Sequence, residues 1–197
     1  MSVTVLVNGT FQDSVSASDR GLAYSDGLFE TIRMSNGLPE FLPEHFQRLK
    51  RACQRLSLDY DEPLLVHEIN LLLAHAATEL QQNAVIKIII TRGVSARGYR
   101  PSRQSRPTRI IMLSPLPDYS FNQRSGVSLR ICDTRLSINP ELAGIKHLAR
   151  LENVMASNEW HDKSIVDGLM MDIGCWMSAI RRLNQSDFKG GTRKSNI

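Results

Sequence analysis

Apolar and polar positions recur with two different periods along this chain, and each change of period marks an element. The opening "VTVLVNGTFQD" and the later "LFETIRMSNGLPEFL" each read as two extended runs around an Asn-Gly pair, Asn8-Gly9 and Asn36-Gly37. That dipeptide favours a tight hairpin turn, so two early hairpins are expected. Pro43 opens a stretch in which Phe46, Leu49, Cys53 and Leu56 recur at helical spacing, and residues 63 to 80 form a second helical stretch. "AVIKIII" at 84–90 and "RIIML" at 109–113 are short apolar runs of the kind found in buried strands, with a basic, glycine-containing loop between them. After a polar stretch, "GVSLRI" resumes strand character. Lys146 is then expected to head a helix carrying Leu148, Leu151, Val154 and Met155, and "GLMMD" reads as a further strand. From Gly174 the strand patterning stops, and the last ten residues are nearly all polar, glycine or basic.

This alternation predicts an α/β protein: an N-terminal α/β domain over residues 1–115, a linker at 116–125, the start of a second domain at 126–173, and an aberrant, disordered tail at 174–197. With 197 residues, 42% of them hydrophobic and 22% charged, the chain can build a core of ordinary size. Twenty-four basic against twenty acidic side chains leave a net charge of +4. That excess favours an anionic small molecule and does not establish a nucleic-acid partner, so none is expected. Cys53, Cys132 and Cys175 lie far apart without paired spacing, which points away from a zinc site or a disulfide framework and towards a reducing compartment. The start has no basic region followed by a long apolar segment, and no run approaches the length that spans a bilayer. No membrane association and a cytoplasmic location are therefore expected.

The candidate chemistry centres on "NPELAGIKHLARLENVMASNEW", residues 139 to 160, where Lys146 follows a bend containing proline and glycine. An isolated lysine in such a place is usually just solvated. Here it is accompanied by "SDRGLAYSDGLFETIR", "HFQRL" and "TRGVSARGY". In this order and approximate spacing the four motifs resemble the class IV aminotransferase family, pyridoxal-phosphate enzymes of fold type IV, and within it the aminodeoxychorismate lyase branch. The resemblance runs from about Val7 to Asp172, and four motifs in order are far more specific than any one of them.

The resemblance implies a two-domain fold with an incomplete second domain, pyridoxal 5'-phosphate as cofactor, and a homodimer with active sites near the subunit boundary. By position, Lys146 in "GIKHLARLE" matches the Schiff-base lysine, and Arg48 in "HFQRL" matches the arginine that grips the cofactor phosphate. A planar guanidinium suits that task because it donates two charge-assisted hydrogen bonds at once. Without the motif, Arg48 reads as a solvated helix residue. Phe29 and Thr31, two apart on a strand, share one face and are expected in the substrate pocket. Asp19, Arg20, Asp26 and Gly27 are expected to serve turns and the wall of the site, Gly27 by permitting a close backbone approach. Arg97 resembles the loop arginine that related enzymes place around a substrate carboxylate; taken alone, it reads equally as part of a mobile exposed loop.

The activity implied is conversion of 4-amino-4-deoxychorismate to 4-aminobenzoate and pyruvate, a step towards folate. A branched-chain or D-amino-acid aminotransferase would use the same lysine and arginine, and a non-catalytic relic is the third reading. The last has a specific basis. The glutamate that family members place against the pyridine nitrogen falls on Ala179, and the apolar residues expected after Asn184 are Gln185 and Ser186. A chain truncated or frame-shifted after about residue 173 is therefore expected, poorly soluble and of low activity.

Overall fold

The computed structural model describes residues 3–76, 80, 82–102, 106–118, 126–162, 164–171 and 177–179. The chain divides into two compact units, the first Met1–Pro117 with Glu141–Ala149, the second Asp118–Pro140 with Arg150–Ile197.

The first unit is built on a six-stranded antiparallel sheet made of β1 (Thr4–Val7), β2 (Thr10–Phe11), β3 (Gly27–Ser35), β4 (Leu38–Pro39), β5 (Ala84–Thr91) and β6 (Thr108–Pro115), in the order β2-β1-β6-β5-β3-β4. Both expected hairpins are present. Asn8 and Gly9 take φ 49° and 79°, and Asn36 and Gly37 take φ 52° and 78°, the pair of positive values that a two-residue hairpin turn requires. Helix α2 (Leu42–Leu56) lies against β3, and α3 (Glu62–His75) against β1 and β6. Every second residue of the central strands seals the space beneath them: Leu28, Ile32 and Met34 from β3, Ala84, Ile86, Ile88 and Ile90 from β5, Ile111 and Leu113 from β6. They meet Phe46, Leu49 and Cys53 of α2 and Leu65, Ile69 and Leu72 of α3, the helical spacing read from the sequence.

The sequence pattern did not reveal α1 (Arg20–Tyr24), a short helix whose start is capped by the Asp19 side chain accepting from the Gly21 N–H at 2.7 Å.

The second unit carries β7 (Ser128–Ile131) parallel to β8 (Ile165–Met171), joined through α4 (Leu151–Ser157), and β9 (Met177–Ala179) antiparallel to β8. Its described core is small: Cys132, Ala156 and Met170, with Leu136 and Trp160 at its edge. Two expectations need correction. A strand was not anticipated beyond Gly174, yet β9 pairs there through its backbone, which needs no side-chain period; residues 180–197 of the expected tail lie outside the described residues. Lys146 does not head a helix either. The helix starts only at Leu151, because the backbone just before it is committed elsewhere: the Lys146 carbonyl accepts the Phe29 N–H at 2.9 Å, and the Leu148 N–H donates to the Gly27 carbonyl at 3.0 Å. Those bonds, with a bridge between Leu28 and His147, make this segment a short extra strand along the start of β3.

Candidate active site

The chemistry-bearing residues gather on the first half of β3. Alternation sends Leu28, Glu30 and Ile32 to the helix-covered face and Phe29, Thr31 and Arg33 to the other. Glu30 is therefore a carboxylate in a row of core positions, 1% exposed. An isolated buried charge is costly, and α2 supplies the compensation. Arg48 donates to Glu30 from both Nε, at 2.6 Å, and Nη2, and His45 Nδ1 lies 2.8 Å from Glu30 Oε2. His45 and Arg48 are one helical turn apart, so both reach the same carboxylate. Because an ionised carboxylate only accepts, His45 Nδ1 carries the hydrogen, and the 3.3 Å approach of Arg48 Nη2 to it is a proximity rather than a bond. Burial alone would raise the Glu30 carboxyl. The bonds from Arg48 and His45, with the charges of Arg48 and Lys146, outweigh it and hold the group down at about 2. The bond to Glu30 in turn raises Arg48 above its ordinary value.

Lys146 reaches the same strand from its other edge. With its carbonyl bonded to the Phe29 N–H, its ammonium stands 4.6 Å from the centre of the Phe29 ring, a favourable cation–π distance. A second ammonium, from Lys87 on β5, lies 5.7 Å from the same ring, and Lys87 is the register partner of Thr31. Gly27 makes this arrangement possible. A Cβ there would fall 2.5 Å from the Ile90 carbonyl oxygen, 2.9 Å from Thr91 Cα and 2.8 Å from Leu148 Cδ1, so any side chain would clash with the β5 backbone and crowd Leu148.

Lys146, Phe29 and Thr31 thus gather on one face of β3 and Arg48 meets Glu30 on the other, with the charge of Lys146 reaching Glu30. Arg97 is not among them. It is exposed on the loop after β5, and the structure gives it no contact with Lys146, Phe29 or Arg48. Three participants were not singled out from the sequence: Glu30, His45 and Lys87. Glu30 had a readable signal, since the two-residue period of "LFETI" puts it in line with Leu28 and Ile32 and so predicts a buried carboxylate needing partners. Lys87 had a weaker one, as the only charge inside "AVIKIII".

The donor types present are those pyridoxal phosphate would need: Lys146 carries a primary amine beside an aromatic ring, and Glu30 takes Nε and Nη2 of Arg48 but not Nη1. Ala179, the position on which the family's pyridine-side glutamate falls by sequence, ends β9 in the second unit. Among the described residues no group of three or more His, Cys, Asp or Glu side chains could hold a metal ion, and no helix is long and apolar enough to cross a membrane.

Comparison with known proteins bears on the whole arrangement. The model of the class IV amino-transferase family matches residues 27–178. An aminodeoxychorismate lyase of Vibrio harveyi is 36% identical over 168 residues, covering 85% of this chain and 60% of that protein. A putative branched-chain-amino-acid aminotransferase of Methanocaldococcus jannaschii is 28% identical over 173 residues, covering 85% and 59%. Among solved structures, the 4-amino-4-deoxychorismate lyase of Pseudomonas aeruginosa superposes with a TM-score of 0.81 at 40% identity, over 89% of this chain and 64% of that one. The chain therefore spans about 60% of the length of the curated relatives it matches.

Proposed function

Because the chain belongs to the class IV aminotransferase family, we propose that it carries the lysine-bearing side of an aminodeoxychorismate lyase site that uses pyridoxal phosphate to release 4-aminobenzoate and pyruvate from 4-amino-4-deoxychorismate. The observation that supports this best is the seating of Lys146 beside the Phe29 ring with a second amine, Lys87, on the same ring. With Lys146 given to the chemistry, Lys87 leaves a cation at that wall for an anionic ring substrate. When bound, pyridoxal phosphate supplies an electron sink conjugated to the substrate nitrogen. Arg48 would hold the phosphate, with Glu30 and His45 fixing the guanidinium. Lys146 Nζ takes the proton from the carbon that bears the substrate nitrogen. The carbon–oxygen bond to the enolpyruvyl group then breaks, the ring becomes aromatic, and the departing enolpyruvate gains a proton to become pyruvate. Phe29 keeps water from the amine, and Thr31 and Lys87 line the side from which the substrate enters. A homodimer acting in the cytoplasm completes the proposal.

The test is a product assay on the purified chain supplied with pyridoxal phosphate. Equal amounts of 4-aminobenzoate and pyruvate from 4-amino-4-deoxychorismate are expected. Amino transfer from a branched-chain or D-amino acid to a 2-oxoacid, with no 4-aminobenzoate, would replace this reading by the aminotransferase one. A chain that stays colourless with the cofactor would be the non-catalytic relic.

A further inference from the structure

Within the loop that carries Arg97, the Ser95 hydroxyl donates to the Ala96 carbonyl at 3.1 Å, and the Gly98 and Tyr99 carbonyls are bonded from a neighbouring segment. Its neighbour is the segment 18–26, which runs beside it from Val94 to Tyr99. Arg20 N–H donates to the Gly93 carbonyl at 2.9 Å, and Asp19 bridges to Val94. Most of the grip comes from the Arg20 side chain, 4% exposed. Its Nη1 donates to the Gly98 carbonyl at 2.7 Å, its Nη2 to the Tyr99 carbonyl at 2.8 Å, and its Nε to Asp26 at 2.8 Å. The guanidinium also lies 4.7 Å from the centre of the Tyr24 ring, and the Tyr24 hydroxyl accepts the Gly98 N–H at 3.3 Å. Asp26 has a second partner, Arg92, whose guanidinium also caps the end of α2 through the Leu56 and Ser57 carbonyls at 2.7 and 3.0 Å.

A buried guanidinium tolerates few unmet donors, so its partners fix it, and it fixes them. Here the partners are two successive loop carbonyls. Binding both from one rigid fork sets the peptide planes on either side of Tyr99 and leaves Arg97, just upstream, exposed at a defined point of the loop. A lysine could supply the charge but not the fork.

We propose that Arg20 is a positioning residue for substrate recognition: it holds the 95–99 loop so that Arg97 is presented as a preset cation to a substrate carboxylate. This rests on the reading of Arg97 as a carboxylate-binding residue, and deepens it by naming what holds that residue in place. A preset cation binds more tightly than a mobile one because ordering the loop no longer opposes association.

The test uses the full chain loaded with pyridoxal phosphate and, as probe, chorismate, a dicarboxylate with a hydroxyl where the substrate has its amine. Binding is read by calorimetry and loop order by hydrogen exchange of the amides at 94–100. Arg97→Gln is expected to raise the chorismate Kd about tenfold, the loss of one charge-assisted bond, without changing exchange. Arg20→Lys is expected to raise Kd roughly fivefold and to speed exchange at Gly98 and Tyr99, and to add nothing to Kd in the Arg97→Gln background. Tyr24→Phe, a milder change at a partly exposed ring, should shift both readouts in the same direction and carries the test if Arg20→Lys does not fold. Multiplicative effects of the Arg20 and Arg97 changes would overturn the positioning role, as would an Arg20→Lys chain with unaltered Kd and exchange beside a weakened Arg97→Gln chain. An Arg97→Gln chain that binds chorismate normally would instead overturn the reading of Arg97, whatever the exchange shows.

Discussion

The two faces of β3 solve opposite problems with neighbouring residues. On the covered face Glu30 is sealed from water and its charge is matched by Arg48 and His45. One residue away, on the open face, Phe29 carries two ammonium groups at cation–π distance, and Lys87 and Thr31 remain exposed. The covered face is held by bonds whose loss leaves a buried charge alone. On the open face the Lys146 and Lys87 ammonium groups lie against an aromatic ring, which attracts cations without itself carrying a charge. Changes on the covered face should therefore appear as stability and anion affinity together, and changes on the open face as chemistry with little effect on folding.

Lys146→Ala should give the largest effect: lyase turnover lowered by roughly a thousandfold or more and loss of the long-wavelength absorbance of the lysine-bound cofactor, with thermal stability nearly unchanged. A band that survives would assign the cofactor to another amine, for which Lys163, outside the described residues, is the first to examine. Arg48→Ala tests the covered face. It should weaken pyridoxal-phosphate affinity about tenfold and also cost about 3 kcal/mol in denaturant unfolding, because Glu30 is left buried without its strongest partner. A loss of affinity with full stability would break the comparison. Acid unfolding sharpens it further. The Glu30 carboxyl is lowered from an ordinary 4.5 to about 2, so its contribution is fully present above pH 4.5 and is lost as the pH falls through 2. In size it is on the order of 3 kcal/mol. Glu30→Gln should remove that dependence from the unfolding free energy measured between those values. Lys87→Met should do least: a rise of about fivefold in KM for the dicarboxylate substrate, with stability within about 0.5 kcal/mol.

Most of the first unit was legible in advance because its signals are local. Asn-Gly turns, a two-residue strand period and the spacing of Phe46, Leu49 and Cys53 each follow from neighbouring residues. What escaped notice depends on distant pairing. Lys146 was placed on a helix because "IKHLARLEN" has helical spacing, but the chain there bonds to Gly27 and Phe29, and no local pattern encodes a partner so far away. Arg48 was read as either a phosphate ligand or a solvated residue, and its engagement with Glu30 makes it neither of these alone. The family motifs named Lys146, Arg48 and Phe29 without the geometry that relates them, and gave Arg20 a turn and the wall of the site without its grip on the 95–99 loop. The likeness to the Pseudomonas aeruginosa structure at 40% identity explains why motif reading identified the family even where period reading placed the wrong element.

The seating of Lys146 along β3 also has a history in time. Its partner Phe29 precedes it by over a hundred residues, and the six strands of the sheet are all complete at Pro115. Closing so long a loop costs only slightly more entropy than closing a shorter one, but it cannot begin until the later residues exist. As the chain leaves the ribosome, the sheet, its two helices and the Arg48–Glu30 pair can assemble as a unit before the lysine has been made. Lys146 then docks as a late arrival onto a finished scaffold, beside Gly27, where a side chain would meet the β5 backbone and Leu148. A nascent chain at that earlier stage holds Phe29, Lys87 and the Arg48–Glu30 pair in place, and only Lys146 is still to come.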